Sequence, residues 1–375
     1  MKIAILGAGM VGRTIALDLA KDYDVHSFDI SGSNLEELKK RNPRINTSVT
    51  DLGRFDRYSE FLKGFDMAVT AVPGFMGYKT LEAVINCGLN TVDISFFPED
   101  ALQLDDLARE KNITVITDCG VAPGAGNLIL GRYDEEMKIH SFECYVGGLP
   151  VERKPPFQYK APFSPIDVIE EYTRPARFVE DGEIVTKDAL SDREIIHFDS
   201  TGPLEAFNTD GLRSLIQTMK HIPNMKEKTL RYPGHIDLIL SLQQAGFFDN
   251  QPIEWKNTQV TPLEFTSRIL IRDWKLEPGE AEFTIMKVII QGEDRGSKKR
   301  VEYELYDEYD KATDMSSMSR TTGFTCTAAV NLITKGLFTK KGLFPPELVG
   351  RSKECFDFVM DYLAKRHVVW KAQIS

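Results

Sequence analysis

Three glycines near the start of the chain have the spacing that binds the diphosphate of a dinucleotide. Gly7, Gly9 and Gly12 form the pattern G-x-G-x-x-G directly after the apolar run 3–6. The first glycine permits a tight turn, the second lets backbone amides approach a diphosphate, and the third lets a helix pack closely on the strand. The diphosphate would lie at the positive end of that helix. The segment predicts a nucleotide site formed by Gly7, Ala8, Gly9, Met10, Val11 and Gly12.

An acidic residue after the second predicted strand indicates which dinucleotide binds. Asp29 ends the run 24–28 and lies seventeen residues after Gly12. A carboxylate there accepts hydrogen bonds from an adenosine ribose 2′-OH and repels a 2′-phosphate, so NAD is favoured over NADP. Later strand ends complete the predicted site. Asp51 would border the adenine, and the residues beneath the nicotinamide ribose would be Ala71, Val72, Pro73 and Phe75.

Two further aspartates and one histidine are candidate catalytic residues. Asp93 and Asp118 end the fifth and sixth predicted strands, and ligands of such sheets bind beyond the carboxyl ends of the strands. A carboxylate there can hold a cationic substrate or accept a proton. The alternative is that each aspartate caps a helix or a turn. His235, in the sequence RYPGH, is the third candidate base.

Charged residues near glycines in the second half of the chain are candidate substrate ligands. Arg213 lies beside Ser214, and an arginine with an adjacent hydroxyl suits a bidentate contact with a carboxylate. Arg231 forms a second such cluster with His235. Glu205 or Asp210 can hold an ammonium group. The alternative is that these residues form surface ion pairs that contribute little to stability.

The first 120 residues alternate short apolar runs with amphipathic stretches, which is typical of a parallel sheet with crossover helices. The predicted strands are Lys2–Leu6, Asp24–Phe28, Ile45–Val49, Met67–Ala71, Asn90–Asp93 and Thr114–Thr117. Six strands with this rhythm predict an α/β, doubly wound Rossmann sheet. Its carboxyl edge would bring the glycine-rich turn and the aspartates together.

The pattern changes after a loop rich in glycine and proline, residues 119–126, which we interpret as a hinge. Few later strands have the buried parallel pattern, so an α+β catalytic domain with a mixed or antiparallel sheet is expected. Residues 321–334 have small side chains on one face and predict a helix that returns to the first sheet. The predicted division is a NAD-binding Rossmann domain, 1–120, completed by C-terminal helices in 321–375, and a catalytic domain, 121–320.

Composition restricts the classes of partner and site. The formal net charge of −10 argues against nucleic acid or an anionic membrane as the main partner, and no run approaches the ~20 apolar residues of a membrane span. The first strand begins at once, so no signal peptide is expected. Five cysteines without a C-x-x-C spacing predict a reducing cytoplasm without a disulfide framework or structural zinc. The histidines show no ligand spacing, so no catalytic metal is expected.

Several motifs resemble the saccharopine dehydrogenase-like family, and within it the NAD-dependent L-lysine 6-dehydrogenases. The glycine-rich ILGAGMVGR is common to many families. Four others are far more specific and occur in the shared order, namely TDCGVAPG, YVGGLP, EEYTRPAR and RYPGH. The likeness extends over almost the whole chain. The cofactor role is carried over to Gly7, Gly9, Gly12 and Asp29, which match the family motif residue by residue.

The resemblance implies a homodimer whose α+β domain carries the dimer contact. It also implies oxidative deamination of the ε-amine of L-lysine with NAD, which yields 2-aminoadipate 6-semialdehyde and ammonia. The substrate would be a small molecule, the amino acid lysine, bound in the cleft between the domains. Relatives that act on secondary amines, such as saccharopine and carboxynorspermidine dehydrogenases, share the same scaffold and remain the alternative.

Overall fold

The amino-terminal part of the chain alternates parallel strands with helices. The computed structural model describes residues 1–162, 165–277 and 279–375. The strands are β1 (Lys2–Leu6), β2 (Asp24–Asp29), β3 (Asn46–Val49), β4 (Met67–Thr70), β5 (Asn90–Asp93) and β6 (Thr114–Ile116). The helices are α1 (Met10–Leu19), α2 (Gly32–Arg41), α3 (Tyr58–Phe61), α4 (Gly74–Asn86) and α5 (Asp105–Glu110), with 3-10 turns at Phe55–Arg57 and Ala101–Leu104.

The middle of the chain contains longer strands and fewer helices. Its strands are β7 (Lys138–Pro150), β8 (Ala176–Glu180), β9 (Glu183–Lys187), β10 (Glu194–Phe198), β11 (Gly202–Asn208), β12 (Asn224–Arg231), β13 (Ile253–Trp255), β14 (Thr258–Val260), β15 (Glu282–Asp294) and β16 (Ser297–Glu308). Its helices are α6 (Ala125–Asp134), α7 (Pro165–Thr173), α8 (Leu215–Thr218), α9 (His235–Gln244) and α10 (Pro262–Trp274).

The C-terminal segment contributes to both sheets. Its elements are α11 (Ser317–Thr334), β17 (Gly342–Phe344), α12 (Pro346–Gly350), α13 (Lys353–Ala364) and β18 (Trp370–Ile374). Helix α11 packs on α1, where a Cβ at Gly323 would lie 3.2 Å from the Thr14 Cγ2 atom. The predicted helix with a small-residue face therefore does return to the first domain. Strand β18 pairs with β16 of the second sheet. The prediction assigned the helices of residues 321–375 to the first domain and did not include this strand.

The first sheet is parallel throughout and has the order β17-β6-β5-β4-β1-β2-β3. From β1, the strands β2 and β3 are added on one side, and β4, β5 and β6 are added on the other. The order therefore reverses between β1 and β4, and doubly wound sheets bind ligands in the crevice at this point. The predicted Rossmann sheet is confirmed. The added seventh strand, β17, has three residues and carries no periodic signal of its own.

The second sheet is mixed, as predicted. Its main path is β10-β11-β12-β7-β15-β16-β18, with β8 beside β12 and β9 beside β8. Strands β7 and β12 are parallel, whereas the other pairs are antiparallel. Residues at every second position of β12 share one face, so one strand can present a row of side chains to the first domain. Within the described ranges, no helix combines the length and apolar character required to cross a bilayer.

Candidate active site

A cleft of about 1470 Å³ lies between the first sheet and the second. The β1–α1 turn lines one side, and α7 and β12 line the other. Eleven of the predicted cofactor residues line it, namely Gly7, Gly9, Met10, Val11, Gly12, Asp29, Asp51, Ala71, Val72, Pro73 and Phe75. Ala8 is fully buried and contributes through its backbone, as described below.

The glycine-rich turn has the close approaches that its spacing predicts. Gly7 has φ of +109°, and a Cβ there would lie 2.3 Å from the carbonyl oxygen of Ala71. A Cβ at Gly12 would lie 2.1 Å from the Gly7 carbonyl oxygen, so the start of α1 packs against the turn. A Cβ at Gly9 would meet no atom within 4 Å. The backbone at Gly9 therefore faces open space in the cleft.

The N-terminus of α1 supplies free amide donors at the same point. Gly9 is the N-cap and offers no side-chain acceptor to the first turn. The leading N–H groups of a helix need partners from outside it, and an anion such as a diphosphate satisfies them with help from the helix dipole. The turn and helix start therefore fit a dinucleotide.

Asp29 is held beside the glycine-rich turn by two backbone donors. Its Oδ2 accepts a hydrogen bond from the Ala8 amide at 2.6 Å and its Oδ1 accepts one from the Ser31 amide at 2.7 Å. Each carboxylate oxygen retains a further lone pair for a ribose hydroxyl. Arg13 and Arg41 also line this end of the cleft.

Arg41 is already paired with two acids. Its Nε lies 3.4 Å from Glu37. One terminal nitrogen donates to the carbonyl oxygen of Asp314, in the loop before α11, at 2.9 Å, and the other donates to the Asp314 carboxylate. Burial, followed by the neighbouring Arg41 charge, lowers the pKa of Arg13. The adenosine end of the cleft thus contains the predicted acid together with two basic side chains.

Arg213 does not face the cleft as a free carboxylate ligand. Its Nε lies 2.9 Å from Asp118 Oδ1, and a terminal nitrogen bonds the carbonyl oxygen of Phe97. The guanidinium also lies 4.8 Å from the Phe96 ring centroid. The sequence interpretation placed Arg213 on the substrate, but its donors bind the first domain because a buried Asp118 requires a counter-ion. Asp118 itself lines the cleft.

Asp93 is enclosed in the first sheet rather than exposed to the cleft. It is fully buried and accepts hydrogen bonds from the Thr70 hydroxyl at 2.5 Å, the Thr117 hydroxyl at 3.3 Å and the Ser95 amide at 3.1 Å. Burial raises the pKa of Asp93 to about 7. These contacts correspond to the alternative in which the aspartate stabilises a turn, so we do not place it at the reacting atoms.

His235 lies behind the cleft wall in an aromatic cluster. Its Nδ1 is 2.9 Å from the Phe157 carbonyl oxygen, and its Nε2 is 3.0 Å from the Tyr172 hydroxyl. Burial, followed by the charge of Arg231, lowers the pKa of His235 to about 3. The ring is therefore neutral, with Nδ1–H donating to Phe157 and Nε2 accepting from Tyr172. This geometry makes His235 a positioning residue.

The Tyr172 hydroxyl contacts both His235 and Arg231, and Arg231 lines the cleft. Arg231 Nε donates to the Tyr172 hydroxyl at 2.9 Å, and its terminal nitrogens donate to the Leu230 carbonyl at 3.0 Å and to Glu171 at 3.2 Å. The guanidinium lies 4.4 Å from the Tyr159 ring centroid. These bonds use three of its five N–H donors. Among the described residues, no acceptor binds the other two.

Two acids that the sequence interpretation missed line the same cleft as Arg231. Burial raises the pKa of Glu171 to about 7, although Arg231 opposes this shift. Burial, together with the charges of Glu171 and Asp210, raises the pKa of Glu227 to about 8. Both side chains line the cleft. A site with an arginine and acids of raised pKa can bind a carboxylate and exchange a proton with an amine.

The remaining predicted ligands are either paired within the protein or turned away from the cleft. Asp210 lines the cleft but binds Arg177 at 2.9 Å. Glu205 lies 2.8 Å from Arg193 and accepts a bond from the Gly234 amide, and it does not line the cleft. Ser214 is buried at the start of α8 and also lies away from the cleft wall. Of the five predicted substrate ligands, only Arg231 offers uncommitted donors to the cleft.

The missed acids had signals in the sequence. Glu227, Thr229 and Arg231 are spaced by two along β12, and all three line the cleft. Alternation of polar residues along the strand would have placed Glu227 on the same face of β12 as Arg231, which lies two positions beyond Thr229. Glu171 lies in the EEYTRPAR motif. Within the described ranges, no group of three or more acidic, histidine or cysteine side chains is arranged to hold a metal ion.

Two family models match consecutive parts of this chain. The saccharopine dehydrogenase C-terminal domain matches residues 120–369, and the saccharopine dehydrogenase NADP binding domain matches residues 3–116. The chain belongs to the saccharopine dehydrogenase family. The family assignment inferred from the motifs is therefore confirmed.

Curated relatives are distant in sequence. The Schizosaccharomyces pombe saccharopine dehydrogenase [NADP(+), L-glutamate-forming] is 25% identical over 320 residues, 80% of this chain and 70% of that protein. Rat mitochondrial alpha-aminoadipic semialdehyde synthase is 21% identical over 282 residues, 70% of this chain. The match spans only 30% of the rat protein. A Saccharomyces cerevisiae saccharopine dehydrogenase (L-Glu forming) structure has a TM-score of 0.80 at 19% identity, with 100% and 99% of the two chains covered, and shares the fold.

Proposed function

We propose that this chain is a pyridine-nucleotide-dependent amine oxidoreductase that removes the ε-amine of L-lysine. The observation that carries the proposal is the position of Arg231 and Glu227 on one face of β12, across the cleft from the glycine-rich turn. A dinucleotide at that turn and an amino acid at β12 would share one enclosed volume. The bound nicotinamide would accept the hydride from the substrate carbon.

Arg231 is the group best suited to the α-carboxylate of the substrate. Two of its N–H donors have no acceptor among the described residues, and a guanidinium can bind a carboxylate through parallel hydrogen bonds. Tyr172 and Glu171 fix its orientation, and His235 fixes Tyr172. Arg231 is thus pre-organised before the substrate arrives, which lowers the entropic cost of binding.

The charge balance of the cleft favours a substrate with two amines and one carboxylate. Acids outnumber basic groups among the described residues on its second-domain side, where the basic groups are Arg174, Arg231 and Lys275. Two of the acids, Glu171 and Glu227, have raised pKa values because they are buried. An ammonium group would relieve that electrostatic cost. Lysine carries two ammonium groups and one carboxylate, and so matches this arrangement.

Asp29 supports NAD as the cofactor, because its carboxylate lies where a 2′-phosphate would be repelled. Glu37 and Asp314 neutralise Arg41 at the same end, which reduces its attraction for a phosphate. Relatives of this family are named as NADP-dependent, so the comparison of the two nucleotides is an essential measurement. The homodimer and the cytoplasmic location remain predictions.

A secondary amine of the saccharopine or carboxynorspermidine type is the alternative substrate. The volume of about 1470 Å³ provides room for a second arm. Lys275 lines the cleft without an ion pair among the described residues and could bind a second carboxylate. Such a substrate would place its extra carboxylate among the acids of α7 and β12, unless Lys275 holds it away from them.

The test is an assay of L-lysine with NAD or NADP, in which the reduced nucleotide and ammonia are both measured. Ammonia release with lysine alone supports deamination, whereas activity that requires a 2-oxo acid supports the secondary-amine reaction. Arg231→Met should raise KM for lysine at least tenfold and leave KM for pentane-1,5-diamine, which lacks a carboxylate, nearly unchanged. An equal effect on both amines would remove Arg231 from the carboxylate site.

A further inference from the structure

We propose that Glu227 accepts the proton that the substrate ammonium group must lose before hydride transfer. This inference rests on the proposed amine oxidoreductase function. It assigns a proton acceptor to a strand position that no motif of the sequence singled out. Three independent features of the structure support it, namely a cavity, an unpartnered carboxylate and a glycine that makes room for that carboxylate.

Glu227 is buried in the cleft wall, and no residue that the structure describes pairs with its carboxylate. Only 5% of the residue is exposed, and it lines the same cavity as the glycine-rich turn. Among the described residues, no side chain or amide donates a hydrogen bond to its carboxylate, and no basic side chain forms an ion pair with it. A buried carboxylate without a donor is costly, so it is kept for a ligand or held protonated.

Gly211 provides the space in which this carboxylate lies. A Cβ at Gly211 would be 1.9 Å from Glu227 Oε1 and 2.7 Å from Oε2. No flexible side chain separates the two, so any larger residue at 211 must displace the carboxylate. The loop between β11 and α8 thus borders the carboxylate of Glu227, and glycine at 211 leaves room for it in this position.

The charged groups that face Glu227 explain how it can take up a proton. Burial is the main cause of its raised pKa. The charges of Glu171 on α7, Asp210 after β11 and Asp118 after β6 raise this pKa further, and the charge of Arg213 before α8 lowers it. Its pKa of about 8 lies near that expected of an efficient base at alkaline pH. The other acids are less available, because Asp118, Asp210 and Glu171 are paired with Arg213, Arg177 and Arg231.

The step balances without a further reactant. One N–H bond of the substrate R–CH2–NH3⁺ breaks, and an O–H bond forms on the Glu227 carboxylate. The amine lone pair then supports loss of hydride from the adjacent carbon to the oxidised nicotinamide dinucleotide, which gives R–CH=NH2⁺. Water adds to that carbon, and ammonia leaves after proton transfer, so the products are R–CHO, ammonia, the reduced dinucleotide and protons.

The experiment compares wild type with Glu227→Gln, which keeps the shape of the side chain. Single-turnover reduction of the nucleotide by lysine should be at least 10²-fold slower in E227Q. The rate of wild type should increase as the pH rises through about 8, and this increase should be absent in E227Q. Exposed Glu183, on β9, provides the control E183Q, which should behave as wild type. A wild-type rate and pH profile in E227Q would overturn the assignment.

A binding measurement separates this proposal from the proposed reaction. Calorimetry of n-butylammonium at pH 7, in buffers of different ionisation enthalpy, should show release of about one proton by wild type and none by E227Q, since a protonated carboxyl must ionise to pair with the cation. Gly211→Ala, which displaces the carboxylate, should also lose this release. If wild type releases the proton but oxidises no amine, the proposed reaction is wrong and the contact between Glu227 and the amine is supported. Equal release by E227Q would overturn the assignment.

Discussion

Asp118 and Arg213 form a buried ion pair that joins the two domains across the cleft. Arg213 Nε lies 2.9 Å from Asp118 Oδ1 and 3.0 Å from Oδ2, and only 7% and 4% of the two side chains are exposed. The two residues come from the end of the first sheet and from the loop before α8. The pair therefore connects the two domains, together with the hydrogen bond from Gln217 of α8 to Asp100 at 2.9 Å.

Arg213→Ala should destabilise the fold, because it leaves Asp118 buried without its counter-ion. Loss of one partner of such a pair costs about 3–5 kcal/mol in the free energy of unfolding, which urea denaturation would measure. The exposed pair Arg54–Asp56 provides the control, since Arg54→Ala should leave the free energy of unfolding nearly unchanged. A small loss of stability in R213A with a large rise in KM for lysine would instead support the direct substrate contact predicted from the sequence.

Tyr172→Phe should weaken carboxylate binding without abolishing turnover. The change removes the acceptor for Arg231 Nε and the donor to His235 Nε2, so Arg231 loses its fixed orientation. KM for lysine should rise about tenfold, equivalent to about 1.4 kcal/mol, with a much smaller change in kcat. Tyr145→Phe, at a hydroxyl that binds Glu143, is the matched control. A change in kcat alone would argue against this relay.

Asp29→Asn should reduce the preference for NAD over NADP. The variant keeps the side-chain shape but loses the charge that repels a 2′-phosphate and strengthens hydrogen bonds to ribose hydroxyls. A hydrogen bond to a charged group contributes about 1.5–3 kcal/mol, so the NAD dissociation constant should rise at least tenfold while that of NADP falls. Fluorescence titration with both reduced nucleotides measures this. If wild type prefers NADP and Arg41→Ala removes that preference, Arg41 rather than Asp29 sets the specificity.

Asp93→Asn should change the pH dependence of stability and leave catalysis intact. Burial raises the pKa of Asp93 to about 7 from an ordinary 3.8, so between these values the folded chain holds a proton that the unfolded chain has released. The contribution of this proton to the free energy of unfolding is complete below pH 3.8. It is lost as the pH rises toward 7, by up to ~1.4 kcal/mol per pH unit. D93N should therefore gain stability relative to wild type between pH 5 and pH 8.

Denaturation at several pH values measures the effect of Asp93, with Asp188→Asn at an exposed position as the control. The turnover of D93N should stay within a few-fold of wild type, because Asp93 does not line the cleft. A loss of 10²-fold or more in kcat, with normal stability, would restore Asp93 as a candidate base.

The first sheet could be predicted from the sequence because its signals are local. Each strand is a short apolar run, and the glycine spacing fixes the turn between β1 and α1. Strand β17 was missed because three residues carry no period, and it is held by β6 beside it. Strand β18 is exposed and polar, so its pairing with β16 depends on the position of the partner strand rather than on its own composition.

The cofactor half of the site was predictable and the substrate half was not, for a related reason. Glycine turns act through their own backbone, whereas the availability of a charged side chain depends on its neighbours in space. Arg213 and Arg231 look alike in sequence, but Asp118 neutralises one, and the other retains free donors. Glu227 stands between two lysines in the sequence, yet neither lysine forms an ion pair with it among the described residues.

The chain passes between the two sheets three times, from β6 to β7, from β16 to β17 and from β17 to β18. Any motion that widens the cleft must be accommodated at all three connections, so we expect the domains to rotate about an axis near these connections rather than to separate. Reactants must then enter and leave from the side opposite that axis. Because the dinucleotide and the substrate would use the same opening, each would limit the entry and exit of the other. We therefore expect an ordered sequence of binding and release.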